Sequence, residues 1–324
     1  MRRRSAIVLC LVACSVLATA CLPVIVVVAP PGAPNCPMTP ANSYWRADVS
    51  HLPVAPRSAA WVTTEGPTAG LKADFGSGLW DGGPIGIPYT TVPGTQAKVK
   101  VTFQYAGESD KGPYPIPADA PIEGGAASTG DRHVLVVDRD ACKLYETYDS
   151  HRNANGSWNA GSGAVYDLRS NALRPAGWTS ADAAGLPILP GLVRYDEVAS
   201  GIISHAIRMT VPTTQTTYVW PARHQAGSTA SLNAPPMGAW FRLKASVNPA
   251  AFDPAVRPII VALQHYGAIV ADNGSAWYLS GVPDARWNND LLHTLGTIKG
   301  SDFEAVDSTS LIVDPNSGQA TTAS

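Results

Sequence analysis

The sequence predicts an all-β fold, a β-sandwich or jelly roll with long loops and a few short helices. Of its 324 residues, 15% are charged, 29 are glycine and 28 are proline. Exposed helices usually carry many Lys, Glu and Arg side chains, so this composition favours turns and short strands over long surface helices. No internal repeat is evident in the sequence, which argues against a propeller or a solenoid.

The N-terminus predicts export. Arg2, Arg3 and Arg4 precede an apolar run to about Ala20, so residues 1–21 are expected to be a signal peptide. The small residues before Cys21 are typical of a bacterial lipoprotein signal, in which this cysteine is lipidated. The chain stays apolar to Ala29, so an uncleaved membrane anchor is the alternative. In both cases we expect a protein of the cell envelope or the extracellular space that meets the membrane only through its N-terminus.

The remaining chain is expected to contain one folded unit. Residues 22–42 predict a Pro-rich spacer, residues 43–312 a single β-sandwich domain, and residues 313–324 a disordered tail. Cys36 and Cys142 are the cysteines after Cys21, and an even number in an exported chain predicts a disulfide between them. Two free thiols are the alternative, but neither cysteine has a Cys or His neighbour at metal-ligand spacing.

The secondary structure is predicted from apolar periodicity and turn residues, in chain order. Residues 58–63 predict a short helix, and residues 97–105 a strand, because Val99, Val101 and Phe103 alternate with polar residues. Two arms, 133–138 and 143–149, predict a hairpin. Further strands are expected at 204–211, 216–220 and 239–243, a helical turn at 180–184 with Ser180 as N-cap, and a helix at 258–266.

Residues 267–281 predict strand, tight turn and strand. Asp272, Asn273 and Gly274 are typical hairpin-turn residues, and Trp277 restarts the β-prone pattern. This segment is interpreted chiefly as a structural corner. Asp272 and Trp277 are expected at the edge of a ligand-binding cleft.

The 133–149 hairpin supplies the first candidate site. If Val137 pairs with Leu144, then His133 lies opposite Tyr148 and Leu135 opposite Glu146. His133 and Glu146 are then candidate acid–base residues on one sheet face, with Tyr148 as a substrate-binding residue. The alternative is that His133 and Glu146 face solvent.

Two further groups of residues extend this hypothesis. Asp196 and Glu197 are adjacent, and one of them could oppose Glu146 or Asp149 across a cleft, as the paired carboxylates of glycosidases do. Glu197 is the candidate acid or base of this pair, with His205 assisting. A buried core histidine is the alternative for His205. The third group consists of the candidate substrate-binding residues Trp220, Arg223 and His224, which could also cap a strand end.

Several other functions are excluded or disfavoured. The net charge of −2 gives no reason to expect nucleic acid as a partner, since phosphate binding needs a concentrated basic surface. The sequence has no His-x-His, His-Glu-x-x-His or EF-hand pattern, so no metal is expected. It has no phosphate-binding glycine loop and no Gly-x-Ser-x-Gly elbow, so neither a cofactor nor serine hydrolysis is expected.

Five segments of the chain carry a resemblance to known proteins: Cys36-Pro-Met through Trp45, Gly130–His133, Ser170–Trp178, Leu189–Glu197 and Tyr266–Gly267 through Trp277. In these segments the chain resembles a group of uncharacterised bacterial secreted or lipid-anchored β-rich proteins. This resemblance covers nearly the whole mature domain and implies no particular activity. A looser similarity, in strand pattern alone, connects the chain to jelly-roll carbohydrate-active proteins such as polysaccharide lyases and sugar-binding modules.

These observations predict an exported cell-envelope protein that binds, and as an enzyme cleaves, a polysaccharide or oligosaccharide. This prediction is based on nine Trp and eleven Tyr residues, on polar loops and on the predicted β architecture. A catalytic version would be a glycoside hydrolase or a polysaccharide lyase. The alternative is a non-catalytic surface lipoprotein that binds glycans or proteins.

Overall fold

The computed structural model describes residues 29–321. The predicted signal peptide, the predicted lipidation site Cys21 and the first part of the predicted spacer lie outside these residues. Among residues 29–321, no helix is both long and apolar enough to cross a membrane.

Short strands make up most of the regular structure. They are β1 (Lys72–Asp74), β2 (Leu79–Trp80), β3 (Gly83–Pro84), β4 (Tyr89–Val92), β5 (Val101–Phe103), β6 (Val134–Asp138), β7 (Lys143–Tyr148), β8 (His151–Arg152), β9 (Trp158–Ala160), β10 (Ser162–Asp167), β11 (Ile207–Val211), β12 (Trp240–Leu243), β13 (Ala268–Asn273), β14 (Tyr278–Ser280) and β15 (Phe303–Val306).

The helices are short and occur between the strands. The α-helices are α1 (Ser58–Thr64), α2 (Tyr195–Ser200), α3 (Arg257–His265) and α4 (Asn289–His293). The 3-10 helices are Tyr44–Arg46, Ala106–Glu108, Leu189–Gly191, Pro249–Ala251, Thr294–Thr297, Gly300–Asp302 and Thr309–Leu311. The helices predicted at 58–63 and 258–266 are therefore confirmed. Residues 180–184 and 216–220 form neither the predicted helical turn nor the predicted strand.

The largest sheet has six strands in the order β1-β14-β11-β13-β12-β15. Strand β11 lies between β13 and β14, parallel to the first and antiparallel to the second. The predicted hairpin at 267–281 is therefore wrong, because its two arms pair with β11 and not with each other. The chain does reverse direction after Asn273-Gly274, as the turn residues predict. However, strand β11, from a distant part of the sequence, lies between the two arms.

The second sheet has the order β10-β7-β6-β4 and contains the predicted hairpin of β6 and β7. Its register pairs Val137 with Leu144 and Leu135 with Glu146, as the alternation pattern predicts. All of β6 is buried, because both of its faces are covered. Two small sheets, β2-β3 and β5-β9-β8, lie beside these two.

The protein is thus mostly β, with several sheets and few short helices. Parallel pairs accompany antiparallel pairs in both larger sheets, for example β11 with β13 and β4 with β6. The mostly-β class is confirmed, while the jelly-roll sandwich is not.

The largest apolar cluster packs around the six-stranded sheet. Helix α3 begins with Pro258 in its first turn, where a missing N–H costs nothing, and buries Ile259, Ile260 and Leu263. Two smaller clusters cover the faces of the four-stranded sheet. One of them contains the disulfide Cys36–Cys142, which confirms the predicted pairing.

Both chain ends of the described region differ from expectation. Ala33 and Met38, in the predicted spacer, are buried beside the disulfide. In the predicted disordered tail, backbone bridges join Ser317 to Ala172 and Gln319 to Ser43. Backbone pairing does not depend on side-chain hydrophobicity, so the polar composition of the tail gave no indication of these bridges.

Candidate functional site

A cleft of about 420 Å³ opens where the two larger sheets meet, and we call it the Asp272 cleft. Strand ends from both sheets contribute, together with the loops 179–183 and 224–226. Its lining is polar and aromatic: Tyr105, Glu108, Asp131, Tyr148, Ser162, Thr179, Ser180, Ala181, Asp182, Ala183, His224, Ala226, Asp272 and Asn273. A concave cleft that combines aromatic side chains with a few convergent polar groups is a common form of ligand site.

Arg208 of β11 lies beneath the cleft and organises its floor. Its guanidinium is buried and donates from Nε and Nη2 to both oxygens of Asp182, at 3.2 and 2.8 Å. Nη2 also donates to Asp272 at 3.1 Å, and Nη1 donates to Ser280 at 2.7 Å. A buried charge is tolerated only when it is paired and hydrogen-bonded, and this one is paired with two carboxyl groups.

Asp272 is aimed at Arg208 by a β-bulge. Met209 pairs with Val270 and Thr210 with Asp272, so Ala271 is an extra residue on β13. The Ala271 carbonyl accepts the N–H of Ala184 at 2.9 Å, which ties the loop that carries Asp182 to the bulge. Because Asp182 and Asp272 share Nη2 of Arg208, their nearest oxygens are at most about 6 Å apart.

The environment of Asp272 alters its acidity. Burial raises the pKa of Asp272, Arg208 opposes this, and repulsion from Asp182 and Asp131 adds to the rise, bringing the pKa to about 6. The side chain remains 23% exposed, so it can exchange a proton with a molecule in the cleft. Asp182, by contrast, is fully buried, and both of its oxygens bind Arg208.

His133 lies behind the cleft and is paired with Glu123. Its Nδ1 is 2.6 Å from a Glu123 oxygen, and its Nε2 is 2.9 Å from the Ala181 carbonyl. Burial lowers the pKa of His133, but the Glu123 carboxylate outweighs burial and raises the pKa to about 9. Since both ring nitrogens face acceptors, the ring is held as an imidazolium that donates twice.

Asp131 brings a further carboxylate to the cleft wall. Its side chain is exposed, and one oxygen lies within 4.8 Å of ligand atoms of both Glu123 and His133. These three residues are close enough to be considered as metal ligands. However, neither nitrogen of His133 has a lone pair free for a metal, because each faces an oxygen acceptor.

Tyr148, Tyr105 and His224 form the upper walls. Tyr105 is 49% exposed, and the Tyr148 ring lies 5.9 Å from the His133 ring, centroid to centroid. His224 Nδ1 is 2.9 Å from the Ala183 carbonyl, and its Nε2 lies 3.9 Å from Glu108. One exposed and one half-buried tyrosine therefore line the same cleft as the acidic groups.

Of the candidates predicted from sequence, the structure brings Tyr148, His224 and Asp272 into the cleft lining and places His133 directly behind it. Glu146 is fully buried and accepts the N–H groups of Ile188 and Leu189 at 2.9–3.0 Å. Burial raises the pKa of Glu146 to about 7 despite these donors. Glu146 thus anchors the 3-10 helix Leu189–Gly191, and the solvent-facing alternative for His133 and Glu146 is wrong.

Glu197 and His205 meet at a different place. These two acidic residues lie on helix α2, where Asp196 is half-buried and Glu197 is buried. Glu197 pairs with Arg194 and, at 3.3 Å, with Nε2 of His205. The buried alternative for His205 is therefore the one the structure matches, and these groups do not line the Asp272 cleft.

The remaining candidates make structural contacts. Trp220 donates to the Ser317 carbonyl at 2.9 Å, and buried Arg223 binds the carbonyls of Arg174 and Pro315. Trp277 is fully buried in the large core, stacks on Phe303, and donates to the Gly66 carbonyl at 3.0 Å. The prediction that Trp277 lies at the edge of the cleft is therefore wrong, because the residue packs in the interior.

Sequence reasoning missed Arg208, Asp182, Glu123 and the role of Asp131. One available signal was Arg208 itself, a charged residue inside the apolar strand Ile207–Val211. A buried arginine requires acidic partners, so it predicts that carboxylates from elsewhere in the chain converge on it. Which carboxylates these are depends on the non-local strand order.

Comparison with protein-family models, with curated proteins and with solved structures finds no match to this chain. Fold and site together define a mostly-β protein with an acidic cleft and aromatic walls. What the cleft does is therefore inferred from its own geometry.

Proposed function

We propose that the Asp272 cleft binds carbohydrate and hydrolyses a glycosidic bond, with Asp272 as general acid and Asp131 as the second carboxylate. The observation that carries this proposal is the position and acidity of Asp272. Its carboxyl group is partly exposed in the cleft, and its pKa is raised to about 6. Glycoside hydrolysis uses two carboxyl groups, one of which gives up a proton near neutral pH.

The lining supports a hydroxyl-rich, uncharged ligand. Carboxylates accept hydrogen bonds from sugar hydroxyls, and the rings of Tyr105 and Tyr148 offer apolar faces. Glu108, Asp131 and Asp272 make the lining acidic, which repels polyanions such as uronate polymers. This supports hydrolysis over the lyase reaction considered from the sequence, since lyases act on uronates.

Export to the cell envelope belongs to the same proposal. It is supported by the signal-like N-terminus and by the Cys36–Cys142 disulfide, since disulfides persist in oxidising compartments. A polysaccharide ligand is accessible to a protein in that location. The proposal does not depend on a jelly roll, because activity belongs to the site and not to the fold.

A non-catalytic glycan-binding protein is the second candidate. Two observations favour it. Both oxygens of Asp182 accept hydrogen bonds from Arg208, and Asp272 accepts the backbone N–H of Asn273 at 2.7 Å. Such contacts hold a carboxyl group in place and need not serve proton transfer.

The test is a panel of neutral, cationic and uronate polysaccharides incubated with the wild-type protein, Asp131→Asn and Asp272→Asn. Asp119→Asn, an exposed change away from the cleft lining, is the matched control. We expect new reducing ends from a neutral or amino-sugar polymer with wild type and control, and none with the two cleft variants. Binding without turnover would select the second candidate, and unsaturated products from a uronate polymer would refute hydrolysis.

A further inference from the structure

A second cleft, of about 490 Å³, lies on the other side of the Glu123 loop, and we call it the Trp80 cleft. Its aromatic residues are Phe75, Trp80 and Tyr278, and its charged side chains include Lys72, Asp74 and Glu123. Lys72 donates from Nζ to the Tyr278 hydroxyl at 3.0 Å, so its ammonium is held against that ring. Neither this cleft nor Trp80 has a part in the function proposed above.

Trp80 is 78% exposed at the cleft mouth. It belongs to the hairpin β2-β3, in which Trp80 pairs with Gly83 across a two-residue turn. Asp81 and Gly82, the turn residues, have φ of 49° and 84°, which is the geometry of a tight hairpin turn. A rigid turn therefore presents a large aromatic face to solvent beside a cleft.

The hairpin is fixed to the loop that separates the two clefts. A Cβ built on Gly83 would overlap the Gly124 carbonyl, so the two backbones are in direct contact there. Gly124 follows Glu123, whose side chain is tied to His133. The position of Trp80 is thus coupled to the cluster behind the Asp272 cleft through a short, rigid path.

The two clefts meet at a pair of carboxylates. Glu123 lines the Trp80 cleft and Asp131 lines the Asp272 cleft. Oxygens of these two side chains lie within 4.8 Å of each other, with His133 adjacent to both. At this point the linings of the two clefts are therefore within 4.8 Å of each other.

We propose that the two clefts form one groove for an extended sugar chain, with Trp80 and Tyr278 as the aromatic platform for its distal units. This rests on the proposed function and specifies it: the ligand is a polymer or a long oligosaccharide, longer than the Asp272 cleft alone accommodates. Glu123 and Asp131 lie at the middle of the groove, where both accept hydrogen bonds from the chain as it crosses.

The groove predicts a chain-length effect that depends on Trp80. Cello-, xylo-, chito- and malto-oligosaccharide ladders are titrated by calorimetry into wild type, Trp80→Ala and Leu79→Ala. Leu79 is the matched control, since it is 70% exposed on the same strand and does not line the cleft. We expect wild-type affinity for one ladder to rise with length, Trp80→Ala to lose about tenfold for the longest members, and Leu79→Ala to match wild type.

The outcomes separate this inference from the proposed function. If wild type binds short members and Trp80→Ala shows the same gain with length, the groove is refuted while the Asp272 cleft stands. If Tyr148→Ala weakens binding of short members while Trp80→Ala removes only the gain with length, both are supported. If wild type binds no member of any ladder and no polymer of the panel, the proposed function and the groove both fall.

Discussion

Two clusters in which a buried histidine is paired with a carboxylate can be compared within residues 29–321. The first, Glu123 with His133, lies behind a cleft of about 420 Å³. The second, Glu197 with His205 and Arg194, adjoins a cavity of about 10 Å³, which is room for about one water molecule. The two clusters contain the same kinds of side chain, but only the first lies beside a cleft large enough for a ligand.

The acidity of the carboxyls beside each cluster also differs. Burial would raise the pKa of Glu197, but Arg194 and His205 outweigh burial and lower it. Beside the Glu123–His133 cluster, Asp182 and Asp272 share Arg208, and the pKa of Asp272 stays raised at about 6. A buried ion pair stabilises or orders a fold, whereas a partly exposed carboxyl with a raised pKa can exchange protons with a ligand.

The largest expected effect is on catalysis. Asp272→Asn should lower the rate of glycoside hydrolysis about 10²–10⁴-fold, because it removes the proton donor and keeps the shape. Glu197→Gln should leave the rate per folded molecule unchanged. Initial rates, normalised to the folded fraction from circular dichroism, measure both. Equal losses in the two variants would remove the distinction between the clusters.

The next effect is on stability and should be shared by both clusters. Arg208→Met and Arg194→Met should each lower the free energy of unfolding by about 3–5 kcal/mol, because each leaves buried carboxyls without their partner. Urea denaturation measures the loss. For Arg208, the cost should shrink when Asp182→Asn is added, since the unpaired charge is then gone. A loss below about 1 kcal/mol in Arg208→Met would contradict the account of the cleft floor.

The third prediction concerns the pH dependence of stability. The pKa of His133 rises from an unfolded value of about 6.5 to about 9 in the folded protein. The folded state therefore holds the proton more tightly, so this stabilisation is complete below pH 6.5 and is lost as pH rises through 9. We expect about 3 kcal/mol to disappear over that interval. His133→Gln should lack this fall and His205→Gln should keep it in urea midpoints measured from pH 6 to 10, and a fall that persists in His133→Gln would assign it to other groups.

The smallest effect is a change in titration. Carboxyl carbon NMR should show Asp272 titrating at about 6 and Glu197 below its usual range. Because Asp131 raises the pKa of Asp272 by repulsion, Asp131→Asn should lower it, and Asp119→Asn should not. As general acid, Asp272 should also make turnover fall when pH rises above about 6. If Asp131→Asn leaves the pKa of Asp272 unchanged, the two carboxyl groups are not neighbours in solution.

Local features of the fold could be predicted from sequence. The register of β6 and β7 follows from alternation around a short turn, and helix α3 from its apolar periodicity and Pro258. The disulfide follows from counting the cysteines after a segment that predicts export. Each of these depends on residues close in sequence or on a count with a single solution.

The rest depends on which distant segments come together. Nothing local in residues 267–281 indicates that β11 lies between β13 and β14, and this insertion is what brings Arg208 to Asp272. The partners of Arg208 are Asp182, Asp272 and Ser280, three side chains from separate segments. His133, Tyr148, His224 and Asp272 were found by residue type, but their common cleft required the strand order.

The central claim is that the Asp272 cleft is a carbohydrate site and that the Glu197 cluster is not. A glycan array probed with wild type, Asp272→Asn, Tyr148→Ala and Glu197→Gln tests it most directly. The account predicts that wild type and Glu197→Gln retain the same neutral or amino-sugar glycans, and that Tyr148→Ala weakens and Asp272→Asn alters that retention. Retention of no glycan by the wild type, or the same pattern for all four proteins, would contradict it.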